Sequence, residues 1–200
     1  MSAVACLDLE GVLVPEIWIN VAQRTGIDAL MATTRDVADY SQLMRQRLDI
    51  CEANGLGIGD ITEVIAELRP LDGAGDFLDW LREKSQVVIL SDTFYEFAQP
   101  LMRQLGFPTL FCHRLKIDEG GKITGFELRM PDQKREAVRA LKRLNFRTVA
   151  AGDSYNDITM LGEADAGILF CPPENVVKEF PQFPVTGDYT GLRAAFEEVL

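Results

Sequence analysis

Two carboxylates directly follow the first apolar stretch of the chain. Residues 3–7 are apolar, and Asp8, Glu10 and Gly11 come next, with one leucine between the acids. Such a stretch is typical of a short buried strand, and open parallel sheets carry their chemistry at the carboxyl ends of their strands. A carboxylate placed there can bind a hard metal ion or attack phosphorus. Considered alone, the pair is explained equally well by a strand end that runs into a solvated turn.

Two later groups have the chemistry of a phosphate site. Ser91, Asp92 and Thr93 follow another apolar run, so that the Ser91 hydroxyl and the N–H groups of a turn can donate to phosphate oxygens. A cap for a helix over residues 94–105 explains the same residues equally well. Lys134 lies near the start of a predicted helix, where a lone lysine is ordinarily solvated.

A fourth group again follows an apolar run and consists of Gly152, Asp153, Ser154, Tyr155, Asn156 and Asp157. Its two acids are four residues apart, and a glycine opens the turn. Because Mg²⁺ favours carboxylate oxygens and retains water, Asp153 and Asp157 are suitable ligands for it. A turn with a helix N-cap is the alternative explanation of this hexapeptide alone.

The elements that must position these groups alternate along the chain. Core strands are predicted at residues 4–8, 87–91, 148–152 and 166–170, and weaker peripheral strands at residues 109–111 and at Val185. Apolar runs separated by helical patterns predict a parallel sheet with helices on both faces. The predicted fold class is therefore α/β, with a Rossmann-like parallel sheet at its core.

The stretch between the first two core strands is too long for one crossover helix and is predicted to be helical throughout. Pro15 and Gly26 bound its first helix. Asp36 can cap a second helix that ends near Asn54, and a capping-box-like pattern starts a third helix at Asp60. We interpret this stretch as a small helical cap inserted after the first strand.

The predicted division of the chain follows from that insertion. The core comprises residues 1–13 and 74–200, and the cap comprises residues 14–73. Residues 114–130 predict a β-hairpin at the sheet edge, without a catalytic side chain of its own. Trp18 and Trp80 lie among helical apolar positions, which favours packing over contact with a ligand.

Composition and charge exclude several classes of function. The chain has 200 residues, of which 47% are apolar, enough for one large domain or a core with a modest insert. A net charge of −11 disfavours nonspecific binding to nucleic acid or to an anionic membrane. No apolar run approaches the roughly 20 residues of a membrane helix, and no signal peptide is expected. The scattered cysteines predict reduced, mostly buried thiols in a cytoplasmic protein: Cys6, Cys51, Cys112 and Cys171.

Taken together, the four groups resemble the ordered motifs of the haloacid dehalogenase superfamily of aspartate-nucleophile phosphatases. The motifs correspond to residues 8–12, 91–93, Lys134 and 152–157, and the resemblance covers essentially the whole chain, including the cap. The last motif is typical of the phosphoserine phosphatase branch. The resemblance implies a Mg²⁺-dependent enzyme that hydrolyses O-phospho-L-serine through an aspartyl-phosphate.

The resemblance also implies the roles of the first and last motifs. Asp8 would be the nucleophile, and Glu10 would be the general acid and base. Asp8, Asp153 and the backbone carbonyl of Glu10 would hold Mg²⁺, with Asp157 binding it directly or through water.

The remaining motif residues would bind the phosphate group. Ser91 and Lys134 would neutralise the transferring oxygens, with Asp92 and Asn156 beside them at the substrate. Asp92 stands where glycine is common in the family, so its carboxylate should turn away from the phosphate to avoid repelling it.

Cap residues would recognise the amino-acid end of the substrate. The family places a glutamate for the ammonium group shortly after the first motif, and Glu16 matches it. An aromatic residue seven positions before a carboxylate-binding arginine is matched by Tyr40 and Arg47, with Tyr in place of the more usual Phe. Without the resemblance, Arg47 is more simply a solvated helix residue.

One departure from the family concerns Glu10, since the second acid of the first motif is usually Asp. The opening Asp-Leu-Glu-Gly-Val-Leu-Val-Pro-Glu is similar to that of the bifunctional phosphoserine phosphatase/phosphoserine:homoserine phosphotransferase group. We therefore expect phosphoryl transfer to homoserine as a second activity, linking serine and threonine biosynthesis.

Three alternatives stay open at this point. The substrate can be another small phosphate ester, if Glu16 and Arg47 do not reach the pocket. A signalling receiver domain also phosphorylates an aspartate beside Mg²⁺, although such domains resemble a shorter chain without a helical insert. A metal-binding or interaction protein without catalysis is the third. The oligomeric state does not follow from the sequence.

Overall fold

A computed structural model of the chain describes residues 2–33, 37 and 39–200. The strands within these residues form one sheet and are, in chain order, β1 Ala3–Leu7, β2 Gln86–Phe94, β3 Thr109–Ile117, β4 Ile123–Glu127, β5 Arg147–Gly152, β6 Ala166–Phe170 and β7 Val185–Thr186. Across the sheet their order is β4-β3-β2-β1-β5-β6-β7. Neighbouring strands are parallel, except for the antiparallel pair β3 and β4.

Four of the described helices lie between β1 and β2, none lies between β3 and β4, and the others alternate with the strands. The described helices are α1 Ile17–Thr25, α2 Tyr40–Ala53, α3 Ile58–Glu67, α4 Ala74–Lys84, α5 Tyr95–Gln104, α6 Gln133–Arg143, α7 Ile158–Glu163, α8 Glu174–Glu179 and α9 Tyr189–Glu197. This arrangement confirms the α/β fold class. None of the described helices is long and apolar enough to cross a membrane.

Both faces of the sheet are covered. Along β1, Ala5 and Leu7 belong to one cluster of buried side chains, and Val4 and Cys6 belong to another. Side chains of α1–α5 and α9 contribute to the first cluster, and those of α6–α8 contribute to the second. Strands buried on both faces are apolar almost throughout, which explains why the core strands were predictable. Three of the four cysteines are buried, as predicted: Cys6, Cys51 and Cys112.

The second core strand is longer than predicted. It continues to Phe94, so that Ser91, Asp92 and Thr93 lie within β2, where its pairing with β3 shifts register. The following helix begins at Tyr95, and these three residues do not cap it. The strand was predicted to end at Ser91, so the prediction is wrong for Asp92 and Thr93, which lie inside the strand. A local break in register lets a strand carry polar side chains toward a site while its main chain stays in the sheet.

The predicted peripheral strand at residues 109–111 and the first arm of the predicted hairpin are a single strand. β3 begins parallel to β2 and ends antiparallel to β4. Cys112 and His113 connect the two parts and are buried. The prediction treated the parts separately because the apolar pattern is interrupted by that histidine and an arginine.

The caps of α2 and α3 also differ from the prediction. Asp36 lies outside the described residues, and Asp39 is the N-cap of α2, accepting from a backbone N–H at 2.7 Å. α3 begins at Ile58 rather than at Asp60. The carboxylate of Asp60 instead reaches back and accepts from the Gly57 N–H at 2.8 Å. The pattern thus marks a helix start, displaced by one turn.

The two places where the chain passes between the predicted core and cap lie side by side. The N–H of Leu71 donates to the carbonyl of Leu13 at 2.9 Å. This contact is what an insertion with adjacent entry and exit requires. The bounds of the core, residues 1–13 and 74–200, and of the cap, residues 14–73, stay a prediction.

The β3–β4 hairpin binds the helices of the predicted cap, so it is more than a decoration of the sheet edge. The carbonyl of Gly121 in its turn accepts from the N–H of Ile58 at 2.9 Å. Lys122 Nζ lies 2.6 Å from Glu52 Oε1. The far end of the cap is therefore joined to the core sheet through the hairpin.

We expect Gly57→Ala to destabilise the protein by about 1–3 kcal/mol, the usual cost of overpacking. A Cβ at Gly57 would lie 2.9 Å from the carbonyl oxygen of Gly121, and that atom belongs to the backbone. Gly59→Ala is the matched control, because nothing lies within 4 Å of its added Cβ. Alanine inside a helix is favoured over glycine by about 1 kcal/mol, so the control should stabilise. Denaturant unfolding measures both, and shifts of the same sign would contradict the close contact.

Candidate active site

Three buried carboxylates gather beyond the carboxyl ends of β1 and β5. One oxygen from each of Asp8, Asp153 and Asp157 lies within 4.8 Å of the other two. Gly11 permits this approach, since its φ is 79° and a Cβ there would lie 2.5 Å from Cγ of Asp153. Clustered carboxylate oxygens are the donors that hard divalent cations prefer. The donor set therefore fits a Mg²⁺ ion.

Lys134 offsets part of the negative charge. Its Nζ lies 2.8 Å from Asp157 Oδ1 and 3.0 Å from Asp8 Oδ1, and the side chain is 2% exposed. Burial, with the charge of Asp157, raises the pKa of Asp8 well above its usual range, and Lys134 opposes that rise. Although burial acts in the opposite direction, the neighbouring carboxylates raise the pKa of Lys134. One ammonium group beside three acids leaves net negative charge that a divalent cation would offset.

The loop after β5 is held by its own side chains. Asp157 Oδ2 accepts from the N–H groups of Asp153 and Ser154, at 2.9 and 3.1 Å. The Ser154 hydroxyl donates to Asn156 Oδ1 at 2.6 Å, and Asn156 Nδ2 donates to Asp92 Oδ2 at 2.9 Å. The fourth sequence motif is thus fixed internally and also connected to the second.

Ser91 is poised to donate a hydrogen bond into the site. Its Oγ accepts from the N–H of Thr93 at 3.2 Å. Because a hydroxyl has one proton and two acceptor positions, this contact leaves the O–H available for a ligand oxygen. The Ser91 hydroxyl can therefore donate from within β2, beside the shift in register with β3.

Glu10 is attached to the first helix of the predicted cap. Its Oε2 accepts from the N–H of Ile17 at 2.8 Å. Burial, together with the charge of Glu16, raises the pKa of Glu10 to about 8. The carboxyl group therefore carries a proton near neutral pH, as donation to a leaving group requires.

A cavity of about 80 Å³ lies between the strand ends and helices α1 and α2. Most of the predicted site residues line it: Asp8, Glu10, Glu16, Tyr40, Arg47, Ser91, Asp92, Asp153 and Asn156. Lys134 and Asp157 are buried beside Asp8. The structure thus brings together residues that are far apart in the sequence.

Arg47 is buried rather than solvated, with only 8% of its surface exposed. Its Nη2 donates to the carbonyl of Ala32 at 2.8 Å, and its guanidinium carbon lies 4.9 Å from the centre of the Trp18 ring. Its Nε is buried and has no hydrogen-bond partner among the described residues. An unpartnered buried donor is costly, so a guanidinium at a cavity wall is suited to an anionic group of a ligand.

Two residues of the site were not predicted. Trp18 packs edge-on against Phe97, with ring centres 5.6 Å apart, but it also lines the cavity and stacks on Arg47. His113, the single histidine of the chain, is buried on β3 with its Nε2 3.4 Å from Asp92 Oδ1. Its rarity was the only available signal, because a lone histidine in a strand does not indicate its distant partner.

Comparisons with known proteins agree with these observations. A family model described as haloacid dehalogenase-like hydrolase matches residues 4–165. Phosphoserine phosphatase ThrH of Pseudomonas aeruginosa is 65% identical over 193 residues, which cover 96% of this chain and 94% of that protein. A phosphoserine phosphatase of Pseudomonas syringae pv. tomato is 63% identical, over 96% of this chain and 81% of that protein.

Solved structures share the fold. A structure described as a phospho-aspartyl intermediate analogue of phosphoserine phosphatase superposes with a TM-score of 0.81 at 23% identity, covering 100% of this chain and 99% of that one. A substrate-bound phosphoserine phosphatase complex gives a TM-score of 0.81 at 22% identity, with the same coverage. The family model spans all four sequence motifs, from Asp8 to Asp157. The chain therefore belongs to the haloacid dehalogenase-like hydrolase family.

Proposed function

We propose that this protein is a Mg²⁺-dependent phosphatase that hydrolyses O-phospho-L-serine through an aspartyl-phosphate on Asp8. The supporting observation is that one cavity joins two kinds of site. Asp8 and Asp153 of the acidic cluster line it, with Lys134 buried beside Asp8. Arg47 and Glu16 also line it, a cation and an acid for the charged groups of an amino acid. The names of the two relatives that are 65% and 63% identical agree with this substrate.

The first step is attack of the Asp8 carboxylate on phosphorus. A bond forms between the Asp8 oxygen and phosphorus, and the bond from phosphorus to the serine oxygen breaks. The Leu9 N–H and Lys134 Nζ hold Oδ1 of Asp8 at 2.7 and 3.0 Å, which orients the carboxylate before the substrate arrives. Because the carboxylate is already held in place, it loses less entropy on reaching the transition state than a freely rotating nucleophile would.

Mg²⁺ would be held by Asp8, Asp153 and the backbone carbonyl of Glu10, with Asp157 as a direct or water-mediated ligand. When bound, the ion offsets the repulsion between an anionic nucleophile and a phosphate dianion. The three buried carboxylates fit that ion by donor type and by spacing.

Glu10 serves as general acid and then as general base. It donates its proton to the departing serine oxygen, and afterwards accepts a proton from the water that attacks the aspartyl-phosphate. Inorganic phosphate leaves, and the Asp8 carboxylate is restored. Because the Glu10 carboxylate accepts a hydrogen bond from the N–H of Ile17, the position of Glu10 is coupled to that of the cap. Closure of the cap would exclude water during the first step.

The remaining cavity residues bind the two ends of the substrate. The Ser91 hydroxyl, Lys134 and Asn156 would donate to phosphate oxygens. Arg47 would hold the substrate carboxylate, and Glu16 would hold the ammonium group. Another small phosphate ester is the alternative substrate within the same chemistry. A phospho-acceptor signalling domain is disfavoured by membership in the hydrolase family.

Phosphate release from a panel of phosphorylated metabolites tests the proposal. We expect phosphoserine to give the highest kcat/KM, and we expect activity to disappear with a chelator and to return with Mg²⁺.

Asp8→Asn should abolish turnover, because it removes the nucleophile at constant volume. Asp79→Asn, at an exposed position on α4, is the control. Retention of more than a few per cent of kcat by Asp8→Asn would exclude covalent catalysis by this residue.

Arg47→Ala tests recognition of the amino-acid end. Loss of a charge-assisted hydrogen bond should lower kcat/KM for phosphoserine by about 10- to 150-fold, or roughly 1.5–3 kcal/mol. An aryl phosphate, which lacks the carboxylate, should be hardly affected. Arg45→Ala is the matched control, since Arg45 is exposed on the same helix. Equal losses on both substrates would assign Arg47 to the fold or to the phosphate.

We also propose transfer of the phosphoryl group from Asp8 to homoserine. Homoserine is serine with one more methylene, so Glu16 and Arg47 can hold it with its hydroxyl near the aspartyl-phosphate. Binding would give that hydroxyl a high effective concentration in competition with water. Glu10 is longer than the usual Asp and is held by the cap helix through Ile17, which supports a changed position for the attacking group.

Phosphorus NMR of the products tests this second activity. We expect phosphoserine with homoserine to yield phosphohomoserine, and Glu10→Asp to raise the ratio of hydrolysis to transfer. If only inorganic phosphate forms at saturating homoserine, the transfer proposal is wrong. If transfer occurs but Glu10→Asp leaves the ratio unchanged, the choice of acceptor lies in the cap rather than in the first motif.

A further inference from the structure

Asp92 connects the groups proposed to bind phosphate with a second pair of buried donors. Its Oδ2 accepts from Asn156 Nδ2 at 2.9 Å and lies 3.6 Å from Lys134 Nζ. Its Oδ1 lies 3.4 Å from His113 Nε2 and 3.4 Å from Gln133 Nε2. One oxygen therefore faces the phosphate-binding groups, while the other is held from behind.

The contacts of His113 determine which ring nitrogen carries the proton. Nδ1 accepts from the backbone N–H of Arg129 at 3.1 Å, so the proton of the neutral ring is on Nε2 and faces Asp92. The ring is 3% exposed and packs against the rings of Tyr40 and Phe94, at centre distances of 5.8 and 6.2 Å. Burial and these contacts make Nε2–H a fixed donor.

We propose that His113 is a positioning residue for phosphoryl transfer, acting through Asp92. By holding Oδ1, it directs Oδ2 toward Lys134 and Asn156 and keeps these two side chains in place. This inference rests on the phosphatase activity proposed above, but it does not depend on the identity of the substrate.

An unrestrained Asp92 would harm the site. Its side chain lines the cavity that would receive a phosphate dianion. A carboxylate free to rotate into that space would repel the substrate, and it would also release Asn156 and Lys134 from their positions. The carboxylate is tolerated there because donors from β3, α6 and the loop after β5 contact its oxygens and balance its negative charge.

The same residue is bound to the predicted cap. The hydroxyl of Tyr40 donates to the carbonyl oxygen of Asp92, and the Tyr40 ring contacts His113. A change at His113 can therefore act through ring packing as well as through the hydrogen bond to Asp92. The test must separate these two effects.

Three variants at His113 make that separation. His113→Phe keeps a ring against Tyr40 but loses the donor. His113→Asn can still accept from the Arg129 N–H, but its shorter amide does not reach Asp92. His113→Gln places an amide N–H where Nε2 stood. We expect the Phe and Asn variants to lose about 10- to 100-fold in kcat with little change in KM, because small misplacements of catalytic groups act on the transition state.

The losses should be equal for phosphoserine and for an aryl phosphate, since the phosphate end is common to both. His113→Gln should retain most of the wild-type kcat. Wild-type kcat in either the Phe or the Asn variant, or failure of Gln to restore activity in a protein that melts like the wild type, would overturn the proposal. Turnover of the aryl ester but not of phosphoserine by the wild type would refute the substrate assignment and leave the role of His113 testable on the aryl ester.

A double-mutant cycle tests whether His113 acts through Asp92. In the Asp92→Ala background, His113→Asn should lower kcat no further, because no side-chain acceptor remains at position 92 for His113 to hold. Independent, multiplicative losses would show that His113 acts by another route. Because the cycle uses His113→Asn, it also holds if His113→Phe fails to fold.

Discussion

The charge balance around Lys134 is the constraint on which the rest of the site depends. Isolated carboxylates are very costly to bury, and three of them meet beyond the ends of β1 and β5. An ammonium group within 3.0 Å of two of them makes this possible without fully neutralising the cluster. The remaining negative charge is what a divalent cation needs. The partial neutralisation of the carboxylates by Lys134 thus explains both their burial and their proposed binding of a divalent cation.

The contacts between the predicted cap and the core have direct chemical consequences. Glu10 accepts from the first N–H of α1, and the Asp92 carbonyl accepts from Tyr40 at the start of α2. Each contact joins a helix outside the sheet to a residue beside the reaction centre. The β3–β4 hairpin binds the far side of the same helices through Gly121 and Lys122. Movement of these helices would therefore change the acid, the second motif and the cavity together.

The polar groups of the cavity differ in how completely they are satisfied. Both oxygens of Asp92 have donors, whereas the buried Nε of Arg47 has no hydrogen-bond partner among the described residues. A satisfied group is suited to a structural role, and an unsatisfied one is suited to a ligand. This contrast separates Asp92, through which we propose that His113 acts, from Arg47, which we assign to recognition.

The fold class and the four motifs followed from the sequence because their signals are local. Strands buried on both faces are apolar over a few consecutive residues, and acids at strand ends are visible beside them. Gly26 ended α1 as predicted, since a left-handed C-cap favours glycine. The start of α3 was displaced because Asp60 can occupy more than one position in a capping pattern.

Long-range contacts were decided only by the tertiary structure. The sequence itself predicted that Asp8 and Asp153 would come together, since parallel strand ends share one edge of the sheet. Lys134 lies on α6, and its place beside them followed only from the family resemblance. The sequence did not determine that Asp92 and Thr93 lie within a strand, that Trp18 faces Arg47, or that His113 contacts Asp92. These contacts join residues from separate strands and helices, and they depend on a register shift and on packing angles. Neither the register shift nor the packing angles can be predicted from local sequence patterns.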